Sequence, residues 1–287
     1  MQTIKLQNKK ALNLSKPNIM GILNVTPDSF SDGNKFNHID KALFHTEEMI
    51  KAGADIIDIG GESTRPDADS VSISEELDRV LPIVEKIISN FDILVSVDTS
   101  KPEVMEGSLK LGSDIINDVR ALTLEGALDV VSIYDPVVIL MHMLAEPHNM
   151  QKIAKSGKAY NNVVFDIKEY LKSRADVCLK AGINKENIIL DPGFGFGKTF
   201  EDNANLLNNL RDIENLGYPI AVGLSRKSMI AHALGKEYTI DKRLYPSVAM
   251  AVMSVLNGAK IIRVHDVKPT VEACNMAYKI IQMSVSE

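Results

Sequence analysis

Groups able to do chemistry gather in this chain where an apolar run breaks off into a polar residue. The sharpest break spans residues 188–198, I-I-L-D-P-G-F-G-F-G-K, where Asp191 precedes Gly193, Gly195 and Gly197, which alternate with Phe194 and Phe196. Glycine lets a backbone take positive φ or pass close to a ligand, so Asp191 stands where a buried strand hands over to a contact loop. Comparable breaks recur at Asn24, Asp58, Asp98, Asn117, His142, Ser225 and His265, with Arg65, Lys227 and Arg263 among them. Any one of these residues reads equally well as a helix cap or a structural hydrogen bond. Taken together on one rim, they make a binding site of mixed charge.

The elements that must carry this rim are short apolar runs alternating with helical patterns. Strands are expected over 19–23, 55–59, 93–97, 114–116, 137–141, 188–190, 220–224 and 261–264. Helices are expected over 39–52, 72–90, from Ser100 to Gly112, and over 124–134, 162–181, 201–216, 228–234, 247–257 and 269–283. Ser72-x-x-Glu75 and Ser100-x-x-Glu103 read as capping boxes, and Gly53, Gly112, Gly182, Gly217 and Gly258 as helix stops. Residues 143–161 read as irregular. Strands this short and apolar are buried on both faces, and strict alternation with helices implies a parallel sheet with helices outside. Eight such units predict a (β/α)8 barrel of the α/β class, a single domain over 18–287 preceded by an N-terminal extension over 1–17. An open doubly wound sheet is the structural rival, and it lacks its G-x-G-x-x-G signature after the first strand.

Composition narrows the class. The 287 residues are 45% hydrophobic with a net charge of −6, which disfavours general nucleic-acid binding. No run of about 18 apolar residues is present, and the first 17 residues lack a signal-peptide core, so a soluble cytoplasmic protein without a membrane role is expected. Cys178 and Cys274 lie far apart without a CxxC or His companion and read as core thiols. His142 and His265 lack the paired spacing of a zinc site.

The ordered set M-G-I-L-N-V-T-P-D-S-F-S-D-G, D-I-G-G-E-S-T-R-P, S-V-D-T, I-N-D-V, M-H-M, D-P-G-F-G-F-G-K, G-L-S-R-K-S and R-V-H-D-V resembles the dihydropteroate synthase family over roughly 18–281. That resemblance implies condensation of 6-hydroxymethyl-7,8-dihydropterin pyrophosphate with p-aminobenzoate to 7,8-dihydropteroate and pyrophosphate. It also implies a place in folate synthesis and a target of sulfonamides. Asp98, Asn117, Met141, Asp191, Lys227 and Arg263 match the family's pterin site. Asn24, Thr64, Arg65, Arg263 and His265 match its pyrophosphate site, with Mg²⁺ held by Asn24 and substrate oxygens. Phe30, Thr64, Pro66, Phe196, Lys227 and Ser228 match its p-aminobenzoate pocket. Asp98, Lys227, Arg263 and His265 are the implied catalytic residues. Core packing is the competing reading for Met141 and Phe196.

These types suit the implied work. A pterin edge carries several N–H donors beside a carbonyl, so it calls for carboxylate acceptors and one donor. Arginine can lie flat against the ring as lysine cannot. Loss of pyrophosphate leaves a cation that Asp98 would stabilise while the cationic cluster and the metal steady the departing anion. The loops over 26–34 and 62–70 are the expected covers that exclude water.

Three positions depart from the family pattern: Asp67 and Ala145 each stand where glycine is common, and Pro246 likewise. A corrinoid methyltransferase of the same barrel type would share the pterin groups but would not need N-V-T-P-D-S-F and E-S-T-R-P. A non-catalytic relative would have lost Asn24, Arg65 or Lys227. A Schiff-base aldolase acting through Lys227 would be trapped by borohydride. The resemblance further implies a homodimer through the C-terminal helices, with Met250, Met253 and Met276 supplying apolar contact or else packing in the core.

Overall fold

The computed structural model describes residues 3–6, 10–26, 35–63, 71–144 and 159–284. It opens with an antiparallel hairpin of β1 (Thr3–Lys5) and β2 (Ala11–Asn13). Eight parallel strands follow: β3 (Asn18–Asn24), β4 (Ile56–Gly60), β5 (Leu94–Asp98), β6 (Ile115–Asp118), β7 (Val137–Met141), β8 (Ile188–Asp191), β9 (Ala221–Val222) and β10 (Ile261–Val264). Their order is β8-β7-β6-β5-β4-β3-β10-β9, and a parallel bridge from Leu190 to Ile220 brings the two ends together. The result is the expected (β/α)8 barrel, and the open-sheet alternative falls away.

Ten α-helices are described around it: α1 (Lys35–Lys51), α2 (Ile73–Asn90), α3 (Pro102–Leu111), α4 (Ala127–Tyr134), α5 (Val163–Lys180), α6 (Phe200–Asn208), α7 (Leu210–Glu214), α8 (Met229–Leu234), α9 (Leu244–Leu256) and α10 (Val267–Ser284). The strands' two-residue period divides the core into two layers. Outward residues such as Ile57, Val95, Ile116, Leu190 and Ile262 pack under the helices. Inward residues Met20, Ile56, Leu94, Ile115, Val137, Ile189 and Ile261 fill the lower barrel, together with Ile4, Leu12 and Leu14 of the N-terminal segment. The lower barrel is thus a packed apolar plug, and polar inward residues are confined to its carboxyl end.

Local rules account for most boundaries. Ser72 and Glu75 form the reciprocal capping box on α2, and the Asn162 side chain caps α5. Ser100 does not cap α3: Lys101 is the N-cap residue, without a side-chain cap bond, and the Ser100 hydroxyl instead binds the buried Asp118 carboxylate. That carboxylate also accepts the Arg120 and Leu122 N–H groups, so Ser100 completes a buried hydrogen-bond network, where its bond counts for more than at an exposed helix end. The helix expected over 201–216 is broken at Asn209 into α6 and α7, and Thr199 with Asp202 forms a capping box at its start. The first helix begins at Lys35 and the ninth at Leu244, where Pro246 sits in the first turn, a position proline tolerates. Much of the irregular stretch over 143–161 lies outside the described residues.

Candidate functional site at the carboxyl end of the barrel

Parallel register lines up the site. Asn24 pairs with Gly60, Gly60 with Asp98, and Asp98 with Asn117 across four adjacent strands. One layer deeper, Ile22 pairs with Asp58 and Asp58 with Ser96. Asp58 was expected to end its strand, but β4 runs on to Gly60, which leaves that carboxylate fully buried inside the barrel.

Arg263, inward on β10, ties this floor together. Its Nε donates to Asp58 Oδ2 at 2.6 Å and an outer nitrogen donates to Asp98 Oδ2 at 2.7 Å. Asn117 Nδ2 donates to the same Asp58 oxygen at 3.2 Å. Burial pushes the Asp98 carboxyl up to about 7; Arg263 pulls the other way and Asp58 adds to the rise. Burial also works against the Arg263 charge, but Asp58 and Asp98 more than reverse this and hold the guanidinium above its ordinary value. One fixed cation thus serves two carboxylates, a geometry that suits arginine's planar fork.

Asp191, at the end of β8, is buried and accepts the Gly193 N–H at 2.7 Å. Burial raises its pKa, against the pull of that N–H and of Lys227, Lys198 and Arg263. The glycines of this loop all take positive φ, and Gly193 could carry no side chain, since a Cβ there would lie 1.9 Å from the His142 carbonyl oxygen. The same tight turn is bound by Lys198, a buried lysine whose Nζ donates to Gly193 O at 2.5 Å and meets His142 Nδ1 at 3.2 Å. Burial, helped by Lys227, lowers the Lys198 pKa to about 7, and burial beside Lys198 lowers His142 to about 3.

Lys227 approaches from the loop after β9. Its ammonium donates to the Phe194 carbonyl oxygen and lies 4.4 Å from the Phe196 ring centroid, a cation–π contact. Burial lowers its pKa to about 8, while Asp191 supports the charge. Next to it, Arg226 holds Asp266 through two bonds of 2.8 and 2.5 Å, and Ser225 Oγ lies 3.1 Å from His265 Nδ1. Arg226 has positive φ, and Ser247 accepts its backbone N–H at 2.9 Å, so the residue after Pro246 helps seat this loop.

The structure brings Asp98, Asn117 and Arg263 into one hydrogen-bonded cluster and sets Asp191 and Lys227 within its electrostatic reach. Met141 is buried beside Asp191 in the register, Phe196 is half-buried, and Ser228 is exposed at the start of α8. Phe30, Thr64, Arg65 and Pro66 lie outside the described residues, as do the departures at Asp67 and Ala145. Two groups were missed in the sequence. Asp58 was singled out but given no task, although its even spacing from Gly60 places it on the inward face. Lys198 closes the glycine run, and nothing in its sequence context announces burial.

This rim of buried acceptors and cations sits on a chain with evident relatives. The sequence pattern of the pterin-binding enzymes matches residues 20–265. A Haemophilus influenzae dihydropteroate synthase is 51% identical over 92% of this chain and 94% of its own length. The chain belongs to the dihydropteroate synthase family. A Yersinia pestis dihydropteroate synthase determined with a sulfonamide drug superposes with a TM-score of 0.90 at 45% identity, covering 98% of this chain and 99% of that one. A Xanthomonas albilineans dihydropteroate synthase with 4-aminobenzoic acid gives 0.89 at 40% identity, covering 98% of each chain. The chain is accordingly an enzyme of the transferase class.

Proposed function

We propose that the enzyme joins 6-hydroxymethyl-7,8-dihydropterin pyrophosphate to 4-aminobenzoate, releasing pyrophosphate, with the pterin lying on the floor made by Asp98, Asn117, Asp191 and Arg263. The observation that carries the reading is Arg263 forked between Asp58 and Asp98 beneath an otherwise acceptor-rich mouth. Carboxylates and the Asn117 amide answer the donors of a pterin edge, Lys227 answers its carbonyl, and Met141 packs against the ring.

Bond breaking at the pterin methylene separates charge. Asp98, held against the ring by Arg263, stabilises the cation, and Arg263 with His265 steadies the departing anion; Thr64 and Arg65 complete that anion site by family resemblance. The amine of 4-aminobenzoate then attacks in line, its ring against Phe196 and its carboxylate toward Lys227 and Ser228; Phe30, Thr64 and Pro66 belong to this pocket by family resemblance alone. Sulfonamides, carried by the Yersinia relative, would occupy this aminobenzoate position.

The residues fit a magnesium ion shared with the substrate. A Cβ on Gly60 would fill a cradle 3.7 Å from Asn24 Oδ1 and 3.8 Å from Asp98 Oδ2. Among the described residues no cluster of three or more His, Cys, Asp or Glu offers a closed cage. One protein oxygen plus phosphates and water is a common way to hold Mg²⁺, which would supply charge neutralisation for the leaving group.

A homodimer is proposed through α9 and α10, and a cytoplasmic setting, in which the buried free thiols of Cys178 and Cys274 stay reduced. Among the described residues no helix is long and apolar enough to cross a membrane. The deciding assay supplies Mg²⁺ and both substrates to the purified enzyme and measures dihydropteroate and pyrophosphate. Equal amounts of the two products support the proposal, and release of pyrophosphate without dihydropteroate would overturn it.

A further inference from the structure

We propose that Asp58 is a positioning residue for the pterin floor, fixing both the plane of Arg263 and the orientation of the Asn117 amide. The inference rests on the pterin reading given above.

Asp58 sits immediately above an apolar layer, since Met20, Ile56 and Leu94 pair with one another two residues below it. It is fully buried, and its Oδ1 has no hydrogen-bond partner among the described residues. A buried carboxylate with an idle oxygen is a poor choice for packing alone, where an apolar residue of similar volume would serve better. What the carboxylate does hold is specific: its Oδ2 takes the Nε edge of Arg263 and the Nδ2 of Asn117 together.

Each contact has a geometric consequence. With Nε tied to Asp58 and an outer nitrogen tied to Asp98, the guanidinium is pinned at both ends and behaves as a fixed plate. Releasing Nε would leave it hinged on Asp98 alone, free to turn off the pterin face. For Asn117, donation to Asp58 points the amide nitrogen inward and presents Oδ1 away from it, the atom able to accept a pterin N–H. A flipped amide would set oxygen against carboxylate and lose both. Asp58 touches no substrate in this scheme; it acts through Arg263 and Asn117.

The test titrates 6-hydroxymethylpterin into the wild-type enzyme, Asp58→Asn, Arg263→Gln and the double variant, with thermal melts alongside. Asp58→Asn keeps shape while removing charge, and it should weaken pterin binding by about tenfold or more. Because Asp58 works through the arginine, adding Asp58→Asn to Arg263→Gln should cost no more than about threefold further. In turnover, kcat should fall while KM for 4-aminobenzoate holds. Full additivity in the cycle, or equal loss for both substrates with a collapsed melting temperature, would make Asp58 structural and overturn the proposal. A wild-type enzyme that binds no pterin would instead defeat the functional reading itself. Should Asp58→Asn fail to fold, the wild-type protein still decides: the Arg263 Nε–H proton signal, assigned by its loss in Arg263→Gln, must persist when pterin is bound. Its disappearance would overturn the proposal.

Discussion

Lys198 donates to the carbonyl oxygen of Gly193 at 2.5 Å, closing the loop that holds Asp191 from within. The amine is buried, and burial lowers its pKa from 10.5 to about 7. Between those two values the unfolded chain binds a proton that the folded chain does not, so this group's contribution to stability rises with pH across that window. Lys198→Met removes the titration. The stability difference between wild type and Lys198→Met should therefore shift in favour of wild type from pH 7 to pH 9, by roughly 1 kcal/mol or more. Chemical denaturation at both pH values measures it, and parallel curves would refute it.

Asp98 supplies a second test. Burial places its carboxyl near 7 in the free protein, and only the ionised form can stabilise a pterin cation. Activity should therefore decline as pH falls through about 7, and kcat/KM, which reports the free enzyme, should show that limb. Asp98→Asn should lower turnover about a hundredfold or more, the scale of losing one preorganised electrostatic group, and should abolish the limb. Near-normal turnover in Asp98→Asn would exclude the role.

Much of the fold was legible in advance because barrel strands buried on both faces announce themselves as apolar runs with polar ends. Ile188–Asp191 and Leu94–Asp98 fall within one residue of the expected strands. Ser100 misled because its cap spacing is a local signal, whereas Asp118 is eighteen residues away in sequence and beside it in space. Asn24, Asp98 and Asp191 were found as strand ends and Asn117 one residue short of its strand's end at Asp118, each marked by an abrupt change of polarity. Asp58 was placed one layer too high because the strand continues two residues past it, through Ile59 to Gly60, and a terminal glycine does not mark the end of an apolar run visibly. Lys198 escaped because lysine normally signals solvent, and only the tertiary turn at Gly193 encloses it.

Gly60 tests the metal cradle. A Cβ there would meet Asn24 Oδ1, Asp98 Cβ and Asp98 Oδ2 at 3.7, 3.7 and 3.8 Å, all ordinary contact distances, so Gly60→Ala should fold with little change in melting temperature. The methyl would occupy the space that a hydrated ion and a pyrophosphate oxygen need. The Mg²⁺ concentration for half-maximal activity should rise about tenfold, a loss comparable to one misplaced ligand contact. An unchanged Mg²⁺ requirement in a stable Gly60→Ala enzyme would show that Asn24 and Gly60 do not frame the ion.

The C-terminal helices carry the last test. Met276, Ile280 and Met283 recur along α10 at spacings of four and three, which puts them on one helix face, and they are 62%, 57% and 78% exposed. Met253 on the adjoining α9 is 41% exposed, whereas Met250 packs against the core and is removed from the set of contact residues. A stripe of this kind on a helix pair suits an isologous contact, each α10 meeting its symmetry mate. Wild-type protein should sediment as a dimer, and Met276→Glu with Met283→Glu should give a monomer that keeps its helical content, because a charge on an apolar interface is left without a partner. A wild-type monomer across the measured concentrations, or a double variant that still dimerises, would place any association surface elsewhere on the barrel.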